Sequence, residues 1–372
     1  MKLTLLLCSA LLVSCSSTTG SGVTSPVQQA LDSDSLPIRA VVKNLPQHEV
    51  QVLFSEIQRD SEGNVLFVDY EFQLDDSVYF YPASTVKLPV ALLALEKLQE
   101  YPQINRYSRF RVGNEEEGTN FTREIIELFV LSDNQAYNRL FEFLGKDEIN
   151  RRLREKGLSA RISHRLSVPE SDRTDTQALH FSVASGSPFT VGPISNSPIE
   201  SLSLNDLSRG RGYIEAGELV EQPFDFSEKN YLPLSSLHGV MKRLVFPNAF
   251  AESERFNLTA GHREFVLNAM STLPKEAGFD KTVYPDSYVK FLLFGDSTEP
   301  IGQRFKIYNK VGFAYGYLTD CAYIVDTEKN REYIVSATVH VNANRVFNDD
   351  QYEYEEIGVP FLAELGRRLL AD

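Results

Sequence analysis

The chain has 372 residues, with 51 Asp and Glu against 37 Lys and Arg, and a formal net charge of −14. At 42% hydrophobic and 24% charged residues it has the composition of a globular protein with an acidic bias, which excludes collagen-like, coiled-coil, disulfide-scaffold and wholly disordered chains. The acidity also argues against nucleic acid as a partner, since a phosphate-binding surface needs clustered Lys and Arg.

At the N-terminus, Met1-Lys2 precedes an apolar run from Leu3 to Ser14. It is too short to span a bilayer and reads as the apolar region of an export signal. The run ends in Leu12-Val13-Ser14-Cys15, which resembles a bacterial lipobox. That resemblance implies removal of residues 1–14, lipidation of Cys15 and a membrane contact through the lipid anchor. Ser16 rather than Asp follows the cysteine, which favours the outer membrane, facing the periplasm. A plain signal peptide with an incidental cysteine is the alternative. Lipidation leaves Cys321 as the one free thiol, so neither an intramolecular disulfide nor a cysteine zinc site is expected. Residues 15–36, rich in Ser, Thr, Gly and Asp, read as a lipidated flexible tether.

The remaining 37–372 reads as one domain. A short helix is expected over 37–46, then strands over 49–57 and 64–72 joined by the turn Asp60-Ser61-Glu62-Gly63. An apolar helix is expected from Thr85 to Leu98, and further helices at 121–131, 135–144 and 147–156. Residues 166–236 are rich in Ser, Pro, Gly and Asp and read as an insertion. Helical periodicity returns at 235–246 and 258–272. Strands are expected at 305–312, 319–327 and 332–342, and a closing helix from about 355 to 370. There is no internal repeat. The order implies one sheet completed by both chain ends, with a helical part between.

Three short motifs carry candidate chemistry. Ser84-Thr85-Val86-Lys87 places a serine at the start of the apolar helix and a lysine on the same face, three residues on. There the serine lies beside the unpaired N–H groups of the first turn, and a desolvated lysine can lose its charge and accept the serine proton. Taken singly, an N-cap serine beside a solvated lysine is the simpler account. Indeed Ser287-Tyr288-Val289-Lys290 repeats the pattern in an apparent connection. Ser132-Asp133-Asn134 is a good helix start in its own right, and Lys310-Val311-Gly312 could be an edge-strand lysine before a turn. Their joint occurrence, in this order and each on a fitting element, outweighs the separate explanations.

Together the three motifs resemble those of the penicillin-recognising serine hydrolases, most closely class A β-lactamases. The likeness extends to Tyr81–Pro89, to Thr122–Leu158 and to Lys310–Asp326, and covers about 37–165 and 237–370. It implies an α/β (α+β) fold of the β-lactamase/transpeptidase type. In that fold an antiparallel five-stranded sheet from both chain ends is flanked by helices, with an all-helical subdomain. It also implies roles. Ser84 would be the nucleophile, Lys87 its base, and Ser132 with Lys310 the proton relay to the leaving nitrogen. Asn134 would hold the substrate amide, and the N–H groups of Ser84 and Phe313, the residue after Gly312, would form the oxyanion hole. No cofactor or metal is expected, and none of the six histidines lies in a triad context.

Two departures stand out. Class A enzymes carry a deacylating Glu in a loop after these helices. Here Arg165-Leu166-Ser167-Val168-Pro169-Glu170 puts Ser167 in its register, leaving Glu170 as a possible deacylation base. Val311 replaces a hydroxyl residue that would recognise a substrate carboxylate. The expectation is therefore an active-serine hydrolase of a β-lactam or related amide. The alternatives are a penicillin-binding, DD-peptidase-like or esterase-like enzyme with slow β-lactam turnover, acting on another amide or ester such as a cell-wall peptide, and a non-catalytic envelope lipoprotein that keeps the fold.

Overall fold

A computed structural model describes residues 24–182 and 188–371. The expected signal peptide, Cys15 and the first part of the tether lie outside the described residues.

The chain opens with helices α1 (Pro26–Leu31) and α2 (Leu36–Val42), followed by strands β1 (Gln51–Arg59) and β2 (Val65–Phe72). Asp60 tightens the turn between the strands: its Oδ1 accepts from the N–H groups of Glu62 (2.9 Å) and Asn64 (2.8 Å). Helices α3 (Lys87–Leu98), α4 (Phe121–Val130), α5 (Asn134–Leu144) and α6 (Lys146–Glu155) form the helical part. Helices α7 (Leu234–Val245) and α8 (Ala260–Ser271) precede β3 (Phe305–Ala314), β4 (Tyr317–Asp326) and β5 (Arg331–His340), and α9 (Val359–Leu369) closes the chain. The main sheet has the order β3-β4-β5-β1-β2 and every neighbouring pair is antiparallel. The five strands expected from sequence thus form the five-stranded sheet expected from both chain ends.

Two apolar layers cover this sheet. On one face Val52, Phe54, Val335 and Val339 pack against α1, α2 and α9. On the other lies the larger core around α3, every residue of which is buried. A helix buried all round needs apolar residues on every face, and Leu88 to Leu98 supplies them. Lys87 sits at its first position, where burial is least expected.

Two expectations need correction. The tether does not extend to residue 36. Pro26–Leu31 is helical, started by Ser25, whose Oγ accepts from the Gln28 N–H at 3.1 Å, and by Pro26 at the first turn. Val27, Ala30 and Leu31 share one face at helical spacing and are buried, so six residues of polar-looking sequence complete the core. The helical part is also not all-helical. Arg109–Val112, Leu179–Ser182 and Phe189–Val191 form a small antiparallel sheet on it. Phe110, Val112, Leu179 and Phe181 alternate with exposed residues, a period-2 signal too short to stand out in sequence. The 166–236 stretch adds further short strands, Ser208–Arg209, Gly212–Glu215, Glu218–Val220 and Phe224–Asp225.

Candidate active site

Ser84 lies in the 3₁₀ turn Ala83–Val86 that leads into α3. The turn is held by Pro82, whose carbonyl accepts from the Thr85 N–H at 3.0 Å and from Thr85 Oγ1 at 2.6 Å. Ala83 stands at φ 46°, a left-handed conformation that costs a non-glycine residue about 1 kcal/mol or more. Strained backbone of this kind persists where the surroundings over-determine it.

Lys87 follows one turn later and is fully buried. Its Nζ donates to Asn134 Oδ1 at 2.7 Å, to Ser132 Oγ at 3.3 Å and to the Ser132 carbonyl. It makes no hydrogen bond to Ser84 Oγ. Burial pushes its pKa down to about 7, with Asp133 acting weakly the other way. Lys87 can therefore be neutral near pH 7.

Ser132 ends the segment after α4 at φ 57°, and Asp133 caps α5 through Ala136 N–H at 2.7 Å. The cap that sequence reading offered as a simpler account is thus real, but it belongs to Asp133. It leaves Ser132 and Asn134 on either side, facing Lys87. Lys310, on β3, is also buried and donates to Ser132 Oγ at 2.8 Å and to its neighbour's carbonyl, Val311 O, at 2.7 Å. Burial holds its pKa well below the usual lysine range, and the nearby Lys87 lowers it further. Ser132 Oγ accepts from both lysines, so its own proton is left for a third partner.

Gly312 brings β3 against the turn that bears Ser84. A Cβ there would lie 2.6 Å from Pro82 O and 2.8 Å from Ser84 N, both backbone atoms that cannot give way. Only glycine allows this approach. The next residue, Phe313, is half exposed and lines the same cleft as Ser84, Asn134 and Ser167, a cavity of about 590 Å³. Val311 points away, buried in the layer under α9.

The loop after α6 is fixed by one face of α5. Asn134, Asn138 and Glu142 follow at four-residue intervals. Asn134 Nδ2 donates to Ser167 Oγ at 2.9 Å, and Asn138 bonds Leu166 N (2.8 Å) and Leu166 O (2.9 Å). Glu142 pairs with the buried Arg165 at 2.6 Å and 3.1 Å and accepts from Gln177 N–H at 2.6 Å. Ser167 is thereby set in the cleft beside Asn134. Glu170, the candidate base, is not. It lies exposed at the loop tip and lines a separate hollow with Arg139 and Arg173. The pinning of the loop on both sides turns residue 170 outward, so the structure does not bring it to Ser84.

The second S-x-x-K pattern is structural. Ser287 Oγ donates to Ser297 O at 2.6 Å, and Lys290 donates to Met270 O at 2.7 Å and Asn309 Oδ1 at 2.6 Å. Asn309 also bonds Asp320 at 2.9 Å, and burial raises the Asp320 carboxyl to about 6. This polar layer beneath Lys310 was invisible in sequence, where Asn309 and Asp320 read as ordinary strand residues. A hydroxyl–imidazole chain, Ser55–His238–Ser336 at 2.8 Å each, is sealed under α7. All three residues are buried, so it presents no nucleophile to a cavity.

Residues 38–188 match the sequence model of a family described as the Beta-lactamase enzyme family. The match spans 151 of the 372 residues, so it relates this part of the chain to that family. Its relation to solved β-lactamase-like structures is one of fold. L2 in complex with relebactam superposes with a TM-score of 0.51 at 14% identity, covering 92% of this chain and 97% of that one. A β-lactamase from Burkholderia vietnamiensis gives 0.51 at 11% identity, covering 90% and 97%. One from Desulfarculus baarsii gives 0.50 at 13%, covering 93% and 98%. No curated protein matches the chain in sequence. The family match reaches residue 188, so the first part of the expected insertion, with the Ser167 loop, falls inside the matched region.

Proposed function

We propose that the protein forms an acyl-enzyme on Ser84 by opening a β-lactam or a related amide, and that it releases the acyl group slowly. One observation carries this reading: Lys87, Ser132, Asn134 and Lys310 converge in one hydrogen-bonded network beside Ser84. Ser84 Oγ attacks the carbonyl carbon and passes its proton to neutral Lys87. The N–H groups of Ser84 and Phe313 receive the oxyanion, each worth about 3 kcal/mol in comparable sites. As the amide C–N bond breaks, Ser132 gives its proton to the leaving nitrogen and is reprotonated by a lysine. The short approach at Gly312 supports the pairing of the two N–H groups. Lys87 and Ser84 are not hydrogen-bonded to each other, and catalytic hydrogen bonds of this kind tighten in the reacting complex.

Slow release rests on Ser167. In the position beside Asn134 where a carboxylate would activate water there is a hydroxyl, and Glu170 faces elsewhere. This favours a slow, penicillin-binding or peptidase-like enzyme over a fast class A lactamase. The intact network counts against a non-catalytic envelope protein. We place the enzyme on a lipid anchor at Cys15, on the periplasmic side of the outer membrane, on the strength of the Leu12–Cys15 sequence alone.

The test is intact-mass spectrometry of the purified protein with a penicillin. A persistent adduct that disappears in Ser84→Ala is expected. Product without any adduct would point to a fast lactamase, and neither adduct nor product would refute acylation of such ligands.

A further inference from the structure

The cleft extends from Ser84 in one direction. Its walls include Phe313 and Ala314 of β3 and Tyr315 just beyond it, but neither Lys310 nor Ser132. A strand rises about 3.3 Å per residue, so from Gly312, beside Ser84, the cleft follows β3 away from Lys310. Ser132 and Lys310 mark the side of the leaving nitrogen in the reaction proposed above. The open cleft is therefore the side of the acyl group.

On the Tyr315 side of it stands a residue from the 166–236 stretch. Lys229 lines the cleft, with its Nζ 5.5 Å from the Phe224 ring centroid, and Phe224 packs on Tyr315 at 5.3 Å. Its backbone is fixed on both sides: Lys229 N–H donates to Phe226 O at 3.0 Å, and its carbonyl accepts from Arg161 at 2.5 Å. Its ammonium makes no ion pair or hydrogen bond with any described residue. The other cation in the wall, Arg165, is committed to Glu142 and to the carbonyls of Arg173 and Asp175. Asp172, Glu228 and Asp225 are near enough to favour the charged form of Lys229 against burial, without pairing with it. Asp350, also in the wall, is exposed to water and so screened. A half-buried ammonium with no bonded acceptor is costly unless something anionic completes it.

We infer that Lys229 is a specificity-determining residue that receives a carboxylate carried on the acyl part of the substrate. The inference rests on the acylation of Ser84 proposed above. It gives the 166–236 stretch a purpose: Lys229 adds an anion contact at the acyl end, distinct from the carboxylate contact weakened at Val311.

Benzylpenicillin and its α-carboxy analogue differ in that one group. The unsubstituted chain should be acylated about tenfold faster by the carboxylated compound, the size of one charge-assisted hydrogen bond. Lys229→Met should bring the ratio towards one, while Lys229→Arg should keep most of it. An equal ratio in the unsubstituted protein and in Lys229→Met would overturn the inference. Calorimetric binding of both compounds to Ser84→Ala separates this from the chemistry. If neither compound acylates Ser84, the nucleophile assignment fails. Tighter binding of the carboxylated compound that is lost on adding Lys229→Met would still uphold Lys229, and equal binding would refute it.

Discussion

In the proposed reaction, Lys87 controls when Ser84 can react. As a base it must be neutral, and burial brings its pKa down to about 7. The neutral fraction rises with pH, so acylation should be half-maximal near pH 7. Below that it should fall about tenfold per pH unit, and above it level off. The rate constant for adduct formation between pH 5 and 9 measures this, and a flat profile would remove Lys87 from the role. Lys87→Arg should lose activity across the whole range, because a guanidinium keeps its proton. The residues of this network were largely legible in sequence, because Ser84, Lys87, Ser132, Asn134, Lys310 and Gly312 fall in three short motifs whose joint occurrence resembles that of a known family, although each alone has a simpler account. Lys229, Asn309 and Asp320 were not, because each belongs to a segment whose local pattern says nothing of its partner. Lys229 reaches the cleft only through the folding of a stretch with weak periodicity.

At the scale of elements, α5 acts as a ruler for the loop after α6. Asn134, Asn138 and Glu142 fix Ser167, Leu166 and Arg165 in turn, and the Arg165–Glu142 pair is fully hydrogen-bonded in its buried setting. The polar stripe on α5 could be read from sequence; the residues it grips could not, since nothing local encodes them. The arrangement leads to a gain-of-function prediction. Ser167→Glu puts a carboxylate beside Asn134, where it can activate water, and should shorten the lifetime of the Ser84 adduct by at least about tenfold. Glu170→Gln should leave that lifetime unchanged. Time-resolved intact mass reads both, and a lifetime sensitive to Glu170 but not to Ser167→Glu would reverse the assignment. The strongly periodic elements, such as β3 to β5 and α3, fall within a few residues of their sequence-based bounds. The small sheet through Phe110, Leu179 and Phe189 was missed because three or four alternating residues are a weak signal and their partners are distant in sequence.

For the whole molecule, α1 shortens what can serve as a tether. Cys15→Ser should move the protein from the membrane to the soluble fraction, with Ser84 still acylated at the same rate, because every residue lining the cleft lies at Tyr81 or beyond. Retention of Cys15→Ser on membranes would contradict the anchor.

The sheet has a consequence for the order in which the molecule comes into being. β1 finds its inner neighbour only in β5, where Gln51 pairs with Thr338. While the chain is being made, the β1–β2 hairpin must wait with an unpaired apolar edge until almost every later residue has emerged. Pairings so distant in sequence are slow to form and expose aggregation-prone edges meanwhile. The turn that bears Ser84 waits too, since Gly312 and Lys310 arrive on β3. The arrangement that the proposed reaction needs is thus a late event in folding, acquired when the C-terminal strands close the sheet rather than when the helix bearing Ser84 forms.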